Sequence, residues 1–439
     1  MNKCVTTEEL HQLFINCEQK ITTDTRKIEK GAIFFALKGD NFNANSFAQQ
    51  AISQGCAYAI VDDEKISDGK CILLVDDVLN ALQQLAKYHR QQLKTTIIGI
   101  TGSNGKTTNK ELIHAVLSKK YNTYATKGNL NNHIGVPLTL LALKPEHQMA
   151  IVEMGANHQG EIEFLSDLTD PDFGMITNIG KAHLEGFGGI EGVKKGKSEL
   201  YKYIKLKAGK IFINGNDDVL SGLCHDIEKI CYGENENFDV YGKLYLNSEY
   251  VEFKWNVKHK SIESQPLLKT QMFGQYNFIN LLCAACIGNY FGVEEQLINE
   301  ALVNYLPEMN RSQVKKTNSN TLILDAYNAN PSSMSLAIDN FNKQSFENKV
   351  VILGDMLELG DYSMQEHERI CVQITKCNFN KVLLVGMQFC ALKDKFANFV
   401  FCENIEKLKA TLNDNRISDS AVLIKGSRGI QLEKIVEFL

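Results

Sequence analysis

Ile97-Ile98-Gly99-Ile100-Thr101-Gly102-Ser103-Asn104-Gly105-Lys106-Thr107-Thr108 decides the fold of this chain. An apolar strand-like run enters a glycine turn, and a helix-like segment follows it (Leu112, Ile113, Val116, Leu117). A bound triphosphate needs that succession. Glycines let backbone N–H groups close around phosphate oxygens, the helix N-terminus adds positive potential, and a lysine adds a point charge. The loop is a tighter form than a strict Walker A, which would place glycine where Ile100 stands. The alternative for the motif alone is a glycine turn leading into a helix with a solvated lysine.

Around this loop the chain reads as three blocks, 1–94, 95–310 and 311–439, a plausible division for 439 residues. The first carries short strand-like runs (Ile33–Leu37, Ala57–Val61, Cys71–Val75) about a helical segment from Ser46 to Gln54. It closes on an amphipathic helix with Val78, Leu82, Leu85 and His89 on one face. The second alternates strand runs (Ile97–Ile100, Met149–Met154, Met175–Ile179, Lys210–Asn214) with helices, which predicts a mainly parallel sheet. Val251, Phe253, Trp255 and Val257, with polar residues between, predict an antiparallel strand with one wet face. The third block shows four apolar runs, Leu322–Leu324, Val350–Leu353, Val382–Val385 and Val422–Ile424. Three of them end in Gly or Asp, as strands do at the ligand edge of a parallel sheet.

Composition narrows the classes. Hydrophobic residues make up 44% and charged residues 23%, which describes a soluble globular chain. A net charge of −5 gives no electrostatic reason to expect nucleic acid. No apolar run is long enough to span a membrane and the N-terminus lacks a signal-peptide core, so a cytoplasmic protein is expected. The twelve cysteines are scattered, most in apolar company. Cys283 and Cys286 form a CxxC inside an apolar helix face and read as buried thiols rather than metal ligands. A GTPase would carry an Asn-Lys-x-Asp stretch, and the sequence has none.

Several polar residues stand where chemistry would need them. Thr107 follows the loop lysine and is placed to offer its hydroxyl to Mg²⁺. Glu153 ends the apolar run Met149–Val152, and a carboxylate there needs a cation or a hydrogen-bonded partner. Asp325 ends Leu322–Leu324 in the same way. His183, in Gly180-Lys181-Ala182-His183-Leu184-Glu185-Gly186, either binds metal or caps a turn. Lys197 lies among Lys194, Lys195 and Lys202, and composition alone makes it a solvated lysine.

Together these stretches resemble the Mur ligases of peptidoglycan synthesis. The resemblance rests on the 102–108 loop, Asn129-Leu130-Asn131-Asn132-His133-Ile134-Gly135, Glu153-Met154-Gly155-Ala156-Asn157-His158-Gln159-Gly160-Glu161-Ile162 and the His183 loop. In the third block it rests on Asp325-Ala326-Tyr327-Asn328-Ala329-Asn330-Pro331, Gly354-Asp355-Met356 and Lys425-Gly426-Ser427-Arg428. The 155–162 and 328–330 runs favour the family member that adds D-alanyl-D-alanine.

The resemblance implies an α/β protein of three domains. A domain for a UDP-sugar (1–94) would precede a central P-loop mononucleotide-binding parallel sheet (95–310) and a C-terminal Rossmann-like α/β domain for the incoming dipeptide (311–439). It implies an ATP-dependent ligase that adds D-alanyl-D-alanine to UDP-N-acetylmuramoyl-tripeptide through an acyl phosphate, with two Mg²⁺ ions, acting as a monomer on small molecules. By position, Gly102, Ser103, Asn104, Gly105, Lys106, Thr107 and Thr108 would hold the phosphates. Asn277, Asn280, Arg311 and Asp325 would meet the rest of the nucleotide, although Asn277 also suits a helix cap. Thr107, Glu153, His183 and a carbamylated Lys197 would hold metal. Lys106, Lys197 and His183 would be the catalytic set, and Thr25, Arg26 and Asn45 would meet the UDP-sugar. Asp40-Asn41-Phe42-Asn43-Ala44-Asn45 departs from the family's Asp-Gly-His run, with Asn45 standing in for the histidine. Met309-Asn310-Arg311 likewise replaces a usual Gly-Arg.

Overall fold

In the computed structural model, residues 4–39, 41–246, 248–307 and 311–439 are described. Asp40, Met309 and the block boundary expected at Asn310 lie outside them. The chain forms two compact units. One comprises Met1–Gly99, Tyr121–Gly155 and Glu163–Asp172; the other comprises Ile100–Lys120, Ala156–Ile162 and Phe173–Leu439.

In the first unit four parallel strands run in the order Ile21–Thr22, Ile33–Phe35, Tyr58–Val61, Ile72–Leu74. Small residues (Ala36, Ala44, Ala48, Ala51, Ala59) let the Ala48–Ser53 helix pack closely on this sheet. The predicted 46–54 helix is shorter because Ala44–Phe47 forms a tighter 3₁₀ turn, started by the Asn43 side chain accepting from Asn45 N–H. The Val78–Gln91 helix is capped by Asp77 and buries Val78, Leu82, Leu85 and His89, the expected face. It also buries polar groups that reach beyond residue 94. Gln83 donates to the His133 carbonyl at 2.9 Å, His89 meets the Leu143 carbonyl at 2.9 Å, and Arg90 donates to the Asp170 carbonyl at 3.0 Å. These bonds join the helix to the 121–155 and 163–172 stretches of the same unit. Leu82 is fully buried, and Leu82→Ala is expected to cost about 2–5 kcal/mol in urea unfolding of this unit.

The second unit holds two sheets. Phe173–Ile176, Lys210–Asn214, Glu228–Gly233 and Val240–Tyr245 pair in parallel in that order, and Tyr250–Val257 and Leu268–Phe273 extend the row antiparallel. The expected wet face on Tyr250–Val257 is not there. Glu252 and Asn256 are buried and Lys254 is half-buried. The turn after the strand folds back over them, Asn256 donating to the Ser261 carbonyl at 2.8 Å. The Asn277–Tyr290 helix is apolar nearly all round and packs on the Lys106–Leu117 helix. Cys283 and Cys286 are buried in it, and burial pushes the Cys283 thiol up to about 12.

The other sheet contains all four apolar runs of the third block. Its order is Gln313–Lys316, Asn320–Asp325, Ser420–Lys425, Lys349–Gly354, Lys381–Val385, Val400–Cys402, parallel except for the first strand. The two edge strands escaped the sequence reading because one is polar and the other very short. Among the described residues no helix is long and apolar enough to cross a membrane.

Candidate active site

The glycine loop follows the Thr96–Thr101 strand and runs into the Lys106–Leu117 helix. Gly102 has φ +140°, and a Cβ there would lie 1.9 Å from Thr177 Oγ1; Gly105 has φ +77° and starts the helix. Only glycine fits such backbone without strain. Gly102→Ala is therefore expected to cost about 1–3 kcal/mol and to depress nucleotide binding, read by thermal melts with and without ATP.

The 177–180 segment braces the loop. Ser103 N–H donates to the Asn178 carbonyl at 3.0 Å, and Asn104 N–H donates to Asn178 Oδ1 at 3.1 Å. The Thr177 hydroxyl donates to the Asn104 carbonyl at 2.6 Å. The Ser103 and Asn104 amides thus hold the loop's shape. Lys106 Nζ curls back on the Gly102 carbonyl at 2.6 Å. Thr107, in the first turn, is buried, and Thr108 follows it along the helix. A cavity of about 440 Å³ opens beside this turn, lined by Thr107, Thr108, Glu111, His114 and Arg311 among others.

Asn277 and Asn280 lie behind the loop. Asn277 is buried and donates to the Phe273 carbonyl at 2.8 Å. Asn280 donates to Asn277 Oδ1 at 2.9 Å and accepts from Asn109 Nδ2 at 2.8 Å. Asn277 makes no side-chain cap, because Tyr276 is the residue before the helix. Asn280, through Asn109, ties the Asn277–Tyr290 helix to the P-loop helix, and its Oδ1 comes within 3.2 Å of a Cβ built on Gly105.

Lys197 is not the solvated lysine of the composition argument. It is buried on the Ile190–Leu206 helix, donates to the Ala156 carbonyl at 3.2 Å and sits 5.1 Å from the Phe187 ring centroid. Burial, and next the Lys106 ammonium, push its amine well below the usual lysine range, against the carboxylates of Glu161 and Glu199. His183 adopts left-handed backbone at φ 52° before the short Leu184–Phe187 helix, and its Nδ1 pairs with the Glu358 carboxylate. That contact with His183 holds Glu358 below the usual carboxylate range.

The third block reaches the loop through contacts that were not legible beforehand. Asn330 Nδ2 donates to Asn104 Oδ1 at 2.7 Å, Lys181 N–H donates to Ser332 Oγ at 2.9 Å, and Lys181 Nζ pairs with buried Glu366. Glu358 follows the quoted Gly354-Asp355-Met356 run, the only advance signal for it. Asp325 accepts from Lys425 Nζ at 2.6 Å and from Ser312 N–H at 3.3 Å. The Arg311 guanidinium stacks 3.7 Å from the Tyr327 ring centroid.

The remaining expected site residues belong to the first unit. Glu153 is buried at the end of Met149–Glu153 and accepts from Asn131 Nδ2 at 2.8 Å. Thr25 is half-buried. Arg26 is exposed and grips Asp24 through Nε and Nη2, both at 2.9 Å, which with the Arg26 backbone N–H donating to the same carboxyl brings it down to about 2. Asn45 is held by its neighbours. It is buried, with its amide donating to Asn43 and to Asp62 at 2.7 Å, while Lys38 pairs with the same Asp62 oxygen at 2.7 Å. Asn45 therefore positions Asp62, which Lys38 also meets.

No group of three or more His, Cys, Asp or Glu side chains forms a metal cage among the described residues. Mg²⁺ does not require one: it keeps several waters and is held by one or two carboxylates together with substrate phosphates. The hydroxyl of Thr107 and the carboxylate of Glu153 suit it chemically. His183 faces the Glu358 carboxylate through Nδ1, which leaves Nε2 as the nitrogen that would ligate.

The chain is similar to known proteins over most of its length. Residues 100–288 match the Mur ligase middle domain, and residues 310–428 match the Mur ligase glutamate ligase domain. The chain is 36% identical over 433 residues to the UDP-N-acetylmuramoyl-tripeptide–D-alanyl-D-alanine ligase of Bacillus subtilis (strain 168), covering 95% of this chain and 92% of that one. It is 34% identical over 431 residues to the Escherichia coli (strain K12) ligase of the same name, covering 95% and 93%. A crystal structure of MurF from Acinetobacter baumannii superposes with a TM-score of 0.86 at 31% identity, covering 97% of each chain.

Proposed function

This chain belongs to the Mur ligase family, and from that premise we propose that it spends ATP to join D-alanyl-D-alanine to UDP-N-acetylmuramoyl-tripeptide. The observation that carries this reading is the full-length likeness to ligases bearing that name. The P-loop and the buried lysine beside it supply chemistry that fits.

A carboxylate is a poor electrophile. Moving the γ-phosphoryl of ATP onto the tripeptide's terminal carboxylate releases ADP and leaves an acyl phosphate. The neutral amine of the dipeptide then attacks that carbonyl, and phosphate departs as the amide forms. The protein's share is positioning and charge neutralisation. Lys106 and the Gly105–Thr107 backbone hold the β- and γ-phosphates, while Ser103 and Asn104 keep the loop in shape. The nucleoside lies in the cavity bordered by Thr108 and Arg311, with Asn280 and Asp325 near it and Asn277 behind. Two Mg²⁺ ions, held by Thr107, Glu153, His183 and Lys197, would offset the repulsion between γ-phosphate and attacking carboxylate.

Lys197 suits its part because it is desolvated. A neutral amine adds to CO₂ and loses a proton, which converts a buried amine into a carbamate anion able to face a cation. Thr25 and Arg26, together with the Lys38–Asp62 pair that Asn45 holds, receive the UDP-sugar. The blocks 1–94, 95–310 and 311–439 divide the work among sugar, nucleotide and dipeptide, and the enzyme acts as a cytoplasmic monomer.

A panel of radiolabelled acceptors tests the reading. With ATP and UDP-N-acetylmuramoyl-tripeptide, label from D-alanyl-D-alanine is expected in the product and label from single amino acids is not. Incorporation of a single amino acid in place of the dipeptide would overturn the assignment.

A further inference from the structure

Arg428 lies in the 3₁₀ turn Arg428–Ile430, which follows the Ser420–Lys425 strand. That strand sits between Asn320–Asp325 and Lys349–Gly354, and the exit loops of both neighbours converge on it. The Ser427 hydroxyl donates to the Ala329 carbonyl at 3.3 Å and accepts from Leu357 N–H at 2.9 Å.

Two guanidiniums share one ring here. Arg311 lies 3.7 Å and Arg428 5.2 Å from the Tyr327 centroid. Among the described residues neither has a carboxylate at ion-pair distance, and Arg311 Nε is buried without a hydrogen-bond partner. Asp325, the acid nearest in sequence, is taken by Lys425. A cation–π contact holds each arginine, but it does not neutralise charge. Arg311 borders the cavity beside Thr107 and so belongs to the nucleotide. Arg428 is exposed. Next to it Leu357 is 44% exposed, its Cδ1 2.9 Å from a Cβ built on Gly429. A free cation thus stands beside an open apolar surface.

We propose that Arg428 receives the free carboxylate of the incoming dipeptide, with Leu357 beneath its methyl side chains. The inference rests on the ligase reading above and deepens it. At attack the dipeptide's amine is neutral, so its remaining charge is a single planar carboxylate, which a guanidinium binds through two parallel hydrogen bonds. Its side chains are small and apolar. Tyr327 keeps Arg428 apart from Arg311, so the nucleotide's and the dipeptide's anions have separate partners.

The test compares D-alanyl-D-alanine with its C-terminal amide in the wild type, Arg428→Ala and Arg428→Lys. The wild type should prefer the acid by about 10–100-fold in kcat/KM, as expected for one charge-assisted bond. Arg428→Ala should raise KM for the acid by a similar factor, leave KM for ATP and for the UDP substrate within about twofold, and bring acid and amide level. Arg428→Lys should recover part of the preference. If Arg428→Ala still prefers the acid, if the wild type never does, or if all three KM values rise together, the proposal is wrong. A wild type that cannot use the dipeptide at all would instead overturn the ligase reading itself.

Discussion

Lys197→Ala is expected to lower kcat by on the order of a hundred- to a thousandfold, and acetate or formate should restore a substantial part of it. The side chain is buried, donates to the Ala156 carbonyl and lies over the Phe187 ring. Its low proton affinity comes from burial first and from the Lys106 charge second. An ammonium in that place would repel Mg²⁺, whereas a carbamate would attract it. Truncation to alanine leaves space for a small carboxylate to stand where the carbamate was. The check is steady-state kinetics over a series of carboxylates, with thermal melts to show that the variant folds. A folded variant that no carboxylate revives would remove Lys197 from the metal site and leave it as a buried amine.

Lys106→Ala should be more severe, with ATP turnover falling by on the order of a thousandfold or more. Nζ folds over the Gly102 carbonyl at 2.6 Å and Ser103 at 3.4 Å, the hollow of the loop. The loop's shape should survive, because Ser103, Asn104 and Thr177 brace it without the lysine. Calorimetry with a non-hydrolysable ATP analogue separates lost binding from lost folding. Turnover within tenfold of wild type would show that the loop does not grip the triphosphate.

The parts that sequence revealed are local ones. The P-loop was legible because glycines and a lysine at fixed offsets are required by the backbone itself, as the 1.9 Å approach at Gly102 illustrates. The buried strands of the C-terminal sheet stood out as apolar runs, while its edge strands Gln313–Lys316 and Val400–Cys402 did not. The wet face expected on Tyr250–Val257 failed because alternation reports polarity, and polar residues can be covered by a later turn, as Ser261 covers Asn256. Lys197 read as solvated from its lysine neighbours, and only the family resemblance argued otherwise. Its burial involves Ala156, 41 residues away, and Phe187 on the short helix before its own. Asn45 was assigned to substrate by position, and its engagement by Asp62 required the fold. Partners such as Glu358 for His183 and Glu366 for Lys181 join segments that no short motif connects.

Isotope transfer tests the chemical claim most directly. UDP-N-acetylmuramoyl-tripeptide labelled with ¹⁸O in both oxygens of its terminal carboxylate would be turned over with ATP and D-alanyl-D-alanine, and the released phosphate examined by mass spectrometry. Activation by phosphoryl transfer requires one labelled oxygen in each phosphate formed. Amide product accompanied by unlabelled phosphate would contradict the account.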